Sequence, residues 1–355
     1  MGLKDGAKTL HSITGLTIED VVKICKGLAD EYGMDTPTID VDCSNVCFKV
    51  GKTVPSVTSL LIKWANAGFC VVPVCDAKVR PVSKQATHKR KADREKNRIK
   101  AALIRKELRS LRSRVYTDAM KRQEITKQIV QLERNCKSAE TASANVISEY
   151  LPDLLIVELE QSAAHTKNNA HGFVANVMIA KFQADAVMMG RSVNRQSLMA
   201  MTSDADIPCL SGDCCIAVKD FTTDGKIQLV YTSETTLKNA MEYLSEDAEK
   251  RITYTPAKHP IFENVSDMKL RAVMVLFLGC DVYVKGLHGV CAHTLDDIIS
   301  INYPEFTKQC PHASLLAYLK KYLYTKIDSF DNDTVHTYIR ALLYEPTNMA
   351  DSPGT

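Results

Sequence analysis

The sequence predicts an α/β fold, with a mostly parallel sheet flanked by helices. Two observations predict it. Helix-period and strand-like segments alternate between residues 17 and 75, and the alternation resumes after residue 150. Strands joined by helical crossovers pair in parallel. Acidic residues also recur where the predicted strands end, at Asp40, Asp42, Asp76, Asp204, Asp206 and Asp281. Ligand sites of open parallel sheets gather at the carboxyl ends of the strands. A chain of 355 residues with 45% hydrophobic content is long enough for one large domain or two modest ones.

The elements follow in order. Thr17 opens an amphipathic run through Ile18, Val21, Val22, Ile24 and Leu28, the spacing of a helix with one buried face. Residues 38–41 read as a strand, 57–67 as a helix and 69–75 as a buried strand. After residue 150 the reading is a strand over 153–157, a strand over 174–179, a helix over 183–193 and a strand over 198–201. A strand over 227–232 comes next, with mainly helical pattern from 270 onward. There is no internal repeat.

Charge is unevenly spread. The net charge is +3, but residues 76–137 hold 20 Lys plus Arg against 7 Asp plus Glu, leaving the rest of the chain at −10. Within this segment Ile104, Leu108, Leu111 and Val115 follow helical spacing, and Ile125, Ile129 and Leu132 repeat it. The pattern predicts two charged helices with narrow apolar stripes. One reading is a solvated helical hairpin; the other is an electrostatic funnel for a nucleic-acid backbone.

Other features exclude function classes. The twelve cysteines are scattered, with no Cys-x-x-Cys pair, and read as reduced thiols of an intracellular protein, without a structural zinc site. No apolar run approaches eighteen residues, so no membrane span is expected. Gly6 occupies the place where an N-myristoylation signal needs Ser or Thr. The lone histidines His165, His171 and His259 read as ordinary surface or core residues.

The acidic stretches carry the chemistry. A single Asp at a strand end is commonly just a helix N-cap. Four such stretches in one chain point instead to clustered carboxylates, which repel one another unless a divalent cation neutralises them. The Asp204-Ala205-Asp206 arrangement puts both side chains on one face where the backbone is extended. Glu158 and Glu160 are a tempting alternative, but Glu160 lies 44 residues before Asp204, an interval that does not suit the pattern.

These residues resemble the flap-endonuclease (XPG-like) superfamily. Met1-Gly2-Leu3 is similar to its Met-Gly-Ile/Val start, and Val41-Asp42-Cys43-Ser44 to its Val-Asp-Ala-Ser strand. Val74-Cys75-Asp76-Ala77-Lys78 resembles Val-Phe-Asp-Gly-Lys, and the run from His88 to Arg94 resembles the basic start of its helical arch. Gln183-Ala184-Asp185-Ala186 looks like Glu-Ala-Glu-Ala, and Ser203-Asp204-Ala205-Asp206, nineteen residues on from Asp185, looks like Glu-Asp-x-Asp. Phe277-Leu278-Gly279-Cys280-Asp281 resembles Leu-Leu-Gly-Ser-Asp, and Gly286 to Val290 resembles a helix-hairpin-helix turn.

The resemblance implies a PIN-like core over residues 1–75 and 151–300, a basic helical arch over 76–150 and a C-terminal helical extension over 301–355. It implies two Mg²⁺ ions, with Mn²⁺ as a substitute, held by Asp42, Asp76, Gln183, Asp185, Asp204, Asp206 and Asp281. Arg90 and Lys84 would contact the scissile phosphate, while Gly2, Lys89, Arg90, Lys91, Arg94, Gly286 and Gly289 would bind DNA. The implied activity is structure-specific DNA endonuclease of the 5′-flap type, extending to 5′–3′ exonuclease action, in repair or replication. A PIN-like ribonuclease and a non-catalytic nucleic-acid-binding relative are the alternatives. A monomer working on branched DNA at nuclear or viral replication sites is the corresponding expectation.

Four departures mark this chain. Gln183 stands where the family has a glutamate and brings no charge, and Asp40, on the same strand face as Asp42, is a candidate to compensate. Cys291-Ala292-His293 follows the hairpin turn where the family has Gly-Pro-Lys. The interval from Asp206 to Asp281 implies an insertion around residues 220–265. The terminal Ser352-Pro353-Gly354-Thr355 carries no sliding-clamp motif.

Overall fold

A computed structural model describes residues 3, 6–51, 53–76, 85–113, 118–143, 150–162, 172–180, 184–211, 215–221, 227–263, 265–280, 286–287 and 289–297. The chain divides into two units, one of residues 85–146 and one of the remainder. The larger unit begins with α1 (Gly6–Thr9), β1 (His11–Leu16), α2 (Ile18–Tyr32), β2 (Thr38–Asp42), α3 (Cys43–Lys49), α4 (Val54–Ala67) and β3 (Cys70–Asp76). The smaller unit is a pair of long helices, α5 (Gln85–Ser113) and α6 (Ala119–Ser143). The larger unit then resumes with α7 (Leu151–Gln161), β4 (Phe173–Val174), β5 (Met178–Ala180), α8 (Ala184–Val193), β6 (Met199–Met201) and α9 (Asp206–Leu210). It continues with β7 (Ile216–Asp220), β8 (Ile227–Tyr231), α10 (Glu234–Met241), α11 (Glu246–Glu249), β9 (Thr253–Thr255) and α12 (Met268–Leu278).

Local chemistry sets the boundaries. Thr17 and Asp20 form a reciprocal capping box that starts α2, and Gly33 ends it in the left-handed region at φ 67°, which glycine enters at no steric cost. Thr53 caps α4, with Pro55 in the first turn where its missing N–H is not needed. Both helices bury the apolar stripe that their spacing announces, through Val21, Ile24 and Leu28 in α2 and Val57, Leu61 and Trp64 in α4.

The strands form one sheet in the order β4-β3-β2-β6-β7-β8-β1-β9, with β5 also paired to β3. From β4 and β5 across to β7 the pairing is parallel; β7-β8, β8-β1 and β1-β9 are antiparallel. The segment read from sequence as an insertion around 220–265 therefore supplies β8, α10, α11 and β9, which build the antiparallel side of the sheet together with β1.

Side chains alternate across the strands. Ile39, Val41, Val71, Met199, Met201, Ile216 and Val218 pack with α2, α4, α7 and α10 on one face. The other face carries Val72, Val74 and Ala200 against α8 and α9, and Ala217 and Val230 against α12. Helices thus cover both faces of a largely parallel sheet, as the sequence predicts.

One element corrects the sequence reading. Residues 153–157 are not a strand but lie inside α7. Leu154, Leu155, Ile156 and Val157 form a run typical of a buried strand, yet Leu151, Leu155 and Leu159 recur every fourth residue and all are fully buried. The helical period wins because only that stripe has a core to enter, while Leu154 and Val157 remain exposed. The reading over 174–179 divides into the two short strands β4 and β5. Strands β1, β7 and β9 went unread.

The smaller unit has its own modest core. Ile104, Leu108 and Cys136 are buried between its helices, with Ile129 and Leu132 packed beside them. Arg105 pairs with Glu140 at 2.6 Å, and Arg112 with Glu133, across the two helices. Unit 85–146 contains 17 Lys plus Arg and 7 Asp plus Glu, most of them solvated.

Candidate active site

The register of three adjacent strands builds the site. Asp42 ends β2 opposite Val74 of β3, and Val41 lies opposite Met201, the last residue of β6. Asp42 and Asp76 therefore end neighbouring parallel strands, and Asp204 lies three residues beyond the end of β6. Strand alternation sends Asp40, Asp42 and Asp76 to the same sheet face as Val72, Val74 and Ala200, the face that α8 and α9 cover.

Hydrogen bonds hold these carboxylates in two groups. Asp42 is buried; one of its oxygens accepts from the Asn45 N–H at 3.0 Å and caps α3, and the other accepts from the Thr202 hydroxyl at 3.4 Å. Asn45 Oδ1 in turn accepts from the Ser203 N–H at 3.0 Å and the Ser203 hydroxyl at 2.8 Å. These bonds tie the segment after β6 to the end of β2. Thr202 Oγ1 also accepts from the Asp204 N–H at 3.0 Å.

The second group joins β3 to α8. Asp76, buried, accepts from the Ala184 N–H at 2.9 Å, so it caps the helix whose second residue is Asp185. Asp185, half-buried in the first turn, gains from the positive end of the helix dipole.

Two expectations change. The Asp204-Ala205-Asp206 backbone is not extended: Ala205 is in the α region at φ −77°, Asp206 begins α9, and Asp204 Oδ1 accepts from the Asp206 N–H at 3.2 Å. Asp40 does not join the site despite sharing its face. It is fully buried, and Arg191 of α8 donates its Nε–H to both carboxylate oxygens at 3.0 Å. Burial pushes the Asp40 carboxyl up to about 7, with the charge and hydrogen bond of Arg191 opposing that rise. Asp40 is a structural partner of α8, not a replacement for the missing glutamate.

Sequence reasoning also passed over Asn45 and Thr202, the two polar residues that connect Asp42 to Asp204. A signal for Asn45 was present: it stands three residues after a helix-capping Asp, where a side chain can turn back toward the cap. Cys43 is fully buried beside Asp42, and burial, with Cys75 and Asp42 nearby, holds its thiol well above the usual range. It stays a neutral apolar neighbour of the carboxylates.

The remaining candidates fall elsewhere. Lys89 and Lys91 are exposed and Arg90 and Arg94 half-buried on the first turns of α5. Gly286 and Gly289 take left-handed φ values of 61° and 81°. A Cβ at Gly286 would lie 2.7 Å from the Leu278 carbonyl, which explains the glycine there. Gln183, Asp281, Lys84 and Gly2 lie outside the described residues.

The donor set is of one kind, carboxylate oxygens, which suits a hard divalent cation such as Mg²⁺ and not a soft one. By position the described residues stop short of a complete site. Among them, no three Asp, Glu, His or Cys side chains converge as one ion requires. Nor is any described helix long and apolar enough to cross a membrane.

No protein-family model matches the chain, and no curated protein does. Among solved structures the chain is similar to the catalytic core of Rad2 in complex with DNA substrate (complex III), at 13% identity over 95% of this chain and 83% of that one, with a TM-score of 0.43. It is likewise similar to human GEN1 in complex with Holliday junction DNA, at 13% identity over 86% of this chain and 60% of that one, with a TM-score of 0.40.

Proposed function

We propose that this protein is a Mg²⁺-dependent, structure-specific DNA endonuclease of the 5′-flap type. One observation carries the reading. The three adjacent parallel strands β3, β2 and β6 each deliver an aspartate, Asp76, Asp42 and Asp204, at or just past their carboxyl ends, and Asp185 opens the helix that Asp76 caps. Buried and half-buried carboxylates gathered at one sheet edge raise the free energy unless a cation is shared among them.

In this reading Asp42, Asp76, Gln183, Asp185, Asp204, Asp206 and Asp281 would together hold two Mg²⁺ ions, Asp42 and Asp204 lying on the β2–β6 side and Asp76 and Asp185 on the β3–α8 side. Bound there, such ions would supply a nucleophilic water at neutral pH and would stabilise the leaving oxygen of an in-line phosphodiester displacement. The protein's own part is positional. Thr202 and Asn45 hold Asp42 and the Asp204 segment in register, and the capped start of α8 holds Asp76 near Asp185. Arg90 and Lys84 would bind the scissile phosphate, and Lys89, Lys91 and Arg94 the neighbouring backbone, through phosphate neutralisation that ignores sequence.

The test is cleavage of a labelled 5′-flap DNA with Mg²⁺, run beside a matched RNA flap. Cleavage of the DNA flap by intact protein, lost in Asp204→Ala, is the expected result. Cleavage of RNA in preference would assign the protein to the ribonucleases. DNA binding without cleavage of either would make it a non-catalytic binder.

A further inference from the structure

Among the described residues Arg271 is the largest charged side chain to be buried completely, with 0% exposure inside α12. A buried guanidinium is costly unless its donors are satisfied. Here they are spent on four separate pieces of backbone and side chain. Nη1 donates to the Cys209 carbonyl at 3.2 Å and to the Thr232 hydroxyl at 3.3 Å, Nη2 to the Phe262 carbonyl at 2.8 Å, and Nε to the Val265 carbonyl. One planar fork thus joins α9, the residue after β8, Phe262 and Val265.

The contact with α9 matters most. Helix α9 is only five residues long, from Asp206 to Leu210, too short to be stable by its own hydrogen bonds. Its first residue is Asp206, whose N–H is held by Asp204, and Cys209 sits one turn later. Anchoring the Cys209 carbonyl fixes the position of the whole short helix. Helix α1 adds a second hold. A Cβ on Gly6 of α1 would lie 2.6 Å from Cβ of Ala205, so α1 presses directly on the residue between the two aspartates. The Thr9 hydroxyl also reaches the Cys209 sulfur at 4.0 Å. The Asp204–Asp206 segment is therefore held both by α1 and, through α9, by the Arg271 fork.

We infer that Arg271 is a positioning residue for the metal-binding limb that carries Asp204 and Asp206, setting through α9 how that limb meets a divalent cation. This rests on the nuclease reading above. It makes Arg271 part of the site although the bonds of its fork go to carbonyls and a hydroxyl and not to the carboxylates. A lysine at this position keeps the charge but cannot hold several separated acceptors in one plane.

The experiment compares full-length wild type, Arg271→Lys, Asp204→Asn and the double variant. Mn²⁺ binding is followed by electron paramagnetic resonance, steady-state cleavage of a 5′-flap DNA is measured with Mg²⁺, and melting curves report folding. The expected Arg271→Lys protein is folded, binds Mn²⁺ about tenfold more weakly and loses kcat by a similar factor, with KM for DNA unchanged, as for losses behind a metal ligand. The double variant should bind Mn²⁺ no more weakly than Asp204→Asn, because both changes act on one limb. Unchanged Mn²⁺ affinity in a folded Arg271→Lys, or additive losses in the double variant, would overturn the inference. If Arg271→Lys does not fold, Thr232→Val carries the test, since it removes one anchor of the fork. A twofold to threefold weaker Mn²⁺ affinity supports the role, and wild-type affinity overturns it. Wild-type protein that binds Mn²⁺ but fails to cleave any flap would count against the nuclease reading instead, leaving the metal-binding comparison to decide the role of Arg271.

Discussion

The carboxyl edge of the parallel sheet and the helical hairpin of residues 85–146 handle charge in opposite ways. The edge buries negative charge: Asp42, Asp76 and Asp206 are all less than a tenth exposed, and each is held by backbone or hydroxyl donors or begins a helix. The hairpin spreads positive charge over solvent, on a core of Ile104, Leu108, Cys136 and two half-buried neighbours. Buried charge is sensitive to the placement of single atoms, because desolvation makes each missing partner expensive. Solvated charge is not, since solvent screens exposed ion pairs such as Arg98–Glu95 and leaves them little influence on stability. Chemistry therefore belongs to the edge and long-range attraction to the hairpin, and substitutions in the two regions should fail differently.

The largest effect is expected at the edge. Asp42→Asn, Asp76→Asn and Asp204→Ala should each lower flap cleavage on the order of 10³-fold while leaving DNA affinity nearly intact, as measured by single-turnover cleavage beside fluorescence anisotropy. Equal losses of binding and cleavage would erase the proposed division of labour.

Neutralising Lys89, Lys91 and Arg94 together should do the reverse. Binding weakens, and the slope of log affinity against log salt shrinks by roughly two to three, about one per lost phosphate contact, while the melting temperature hardly moves. An unchanged salt slope would remove the hairpin from the DNA interface.

Stability should divide along the same line. Leu61→Ala, at a fully buried position in the sheet core, is expected to cost about 2–5 kcal/mol in chemical denaturation, with Leu108→Ala in the thin hairpin core at or below the bottom of that range.

The last effect concerns Asp40. Its carboxyl, ordinarily ionising near 3.8, is raised to about 7 by burial against the pull of Arg191. The folded protein thus keeps a proton that the unfolded chain releases between these values. The resulting stabilisation is full below about pH 4 and is lost as pH rises through 7. Melting temperatures at pH 5 and pH 8 should fall further apart in wild type than in Asp40→Asn.

Much of this was legible in the residues. Strand β2 announced itself by its alternating Ile39 and Val41 and β3 by a short apolar run, each ending in Asp, and α2 and α4 by period and caps, because in each case local preference and burial agree. Where they disagree the sequence misled: α7 hides a fourfold Leu repeat inside a β-like run, and β1 is obscured by Gly15 and by the register shift between Ile13 and Leu16. Asp40 looked like a spare ligand because spacing reveals its face and says nothing of Arg191, 151 residues away. The same limit hid Arg271, whose four acceptors come from segments that meet only in the folded chain. The basic hairpin was visible as composition, and its two apolar stripes fixed the helices, though composition alone does not name its partner.

The central claim, that the aspartates of β2, β3 and β6 share divalent cations, is tested most directly by crystals of the full-length protein soaked in Mn²⁺ and measured at the manganese absorption edge. The account predicts anomalous peaks bordered by Asp42 and Asp204 on one side and by Asp76 and Asp185 on the other. Crystals that take up Mn²⁺ elsewhere, with no anomalous density beside these four carboxylates, would contradict it.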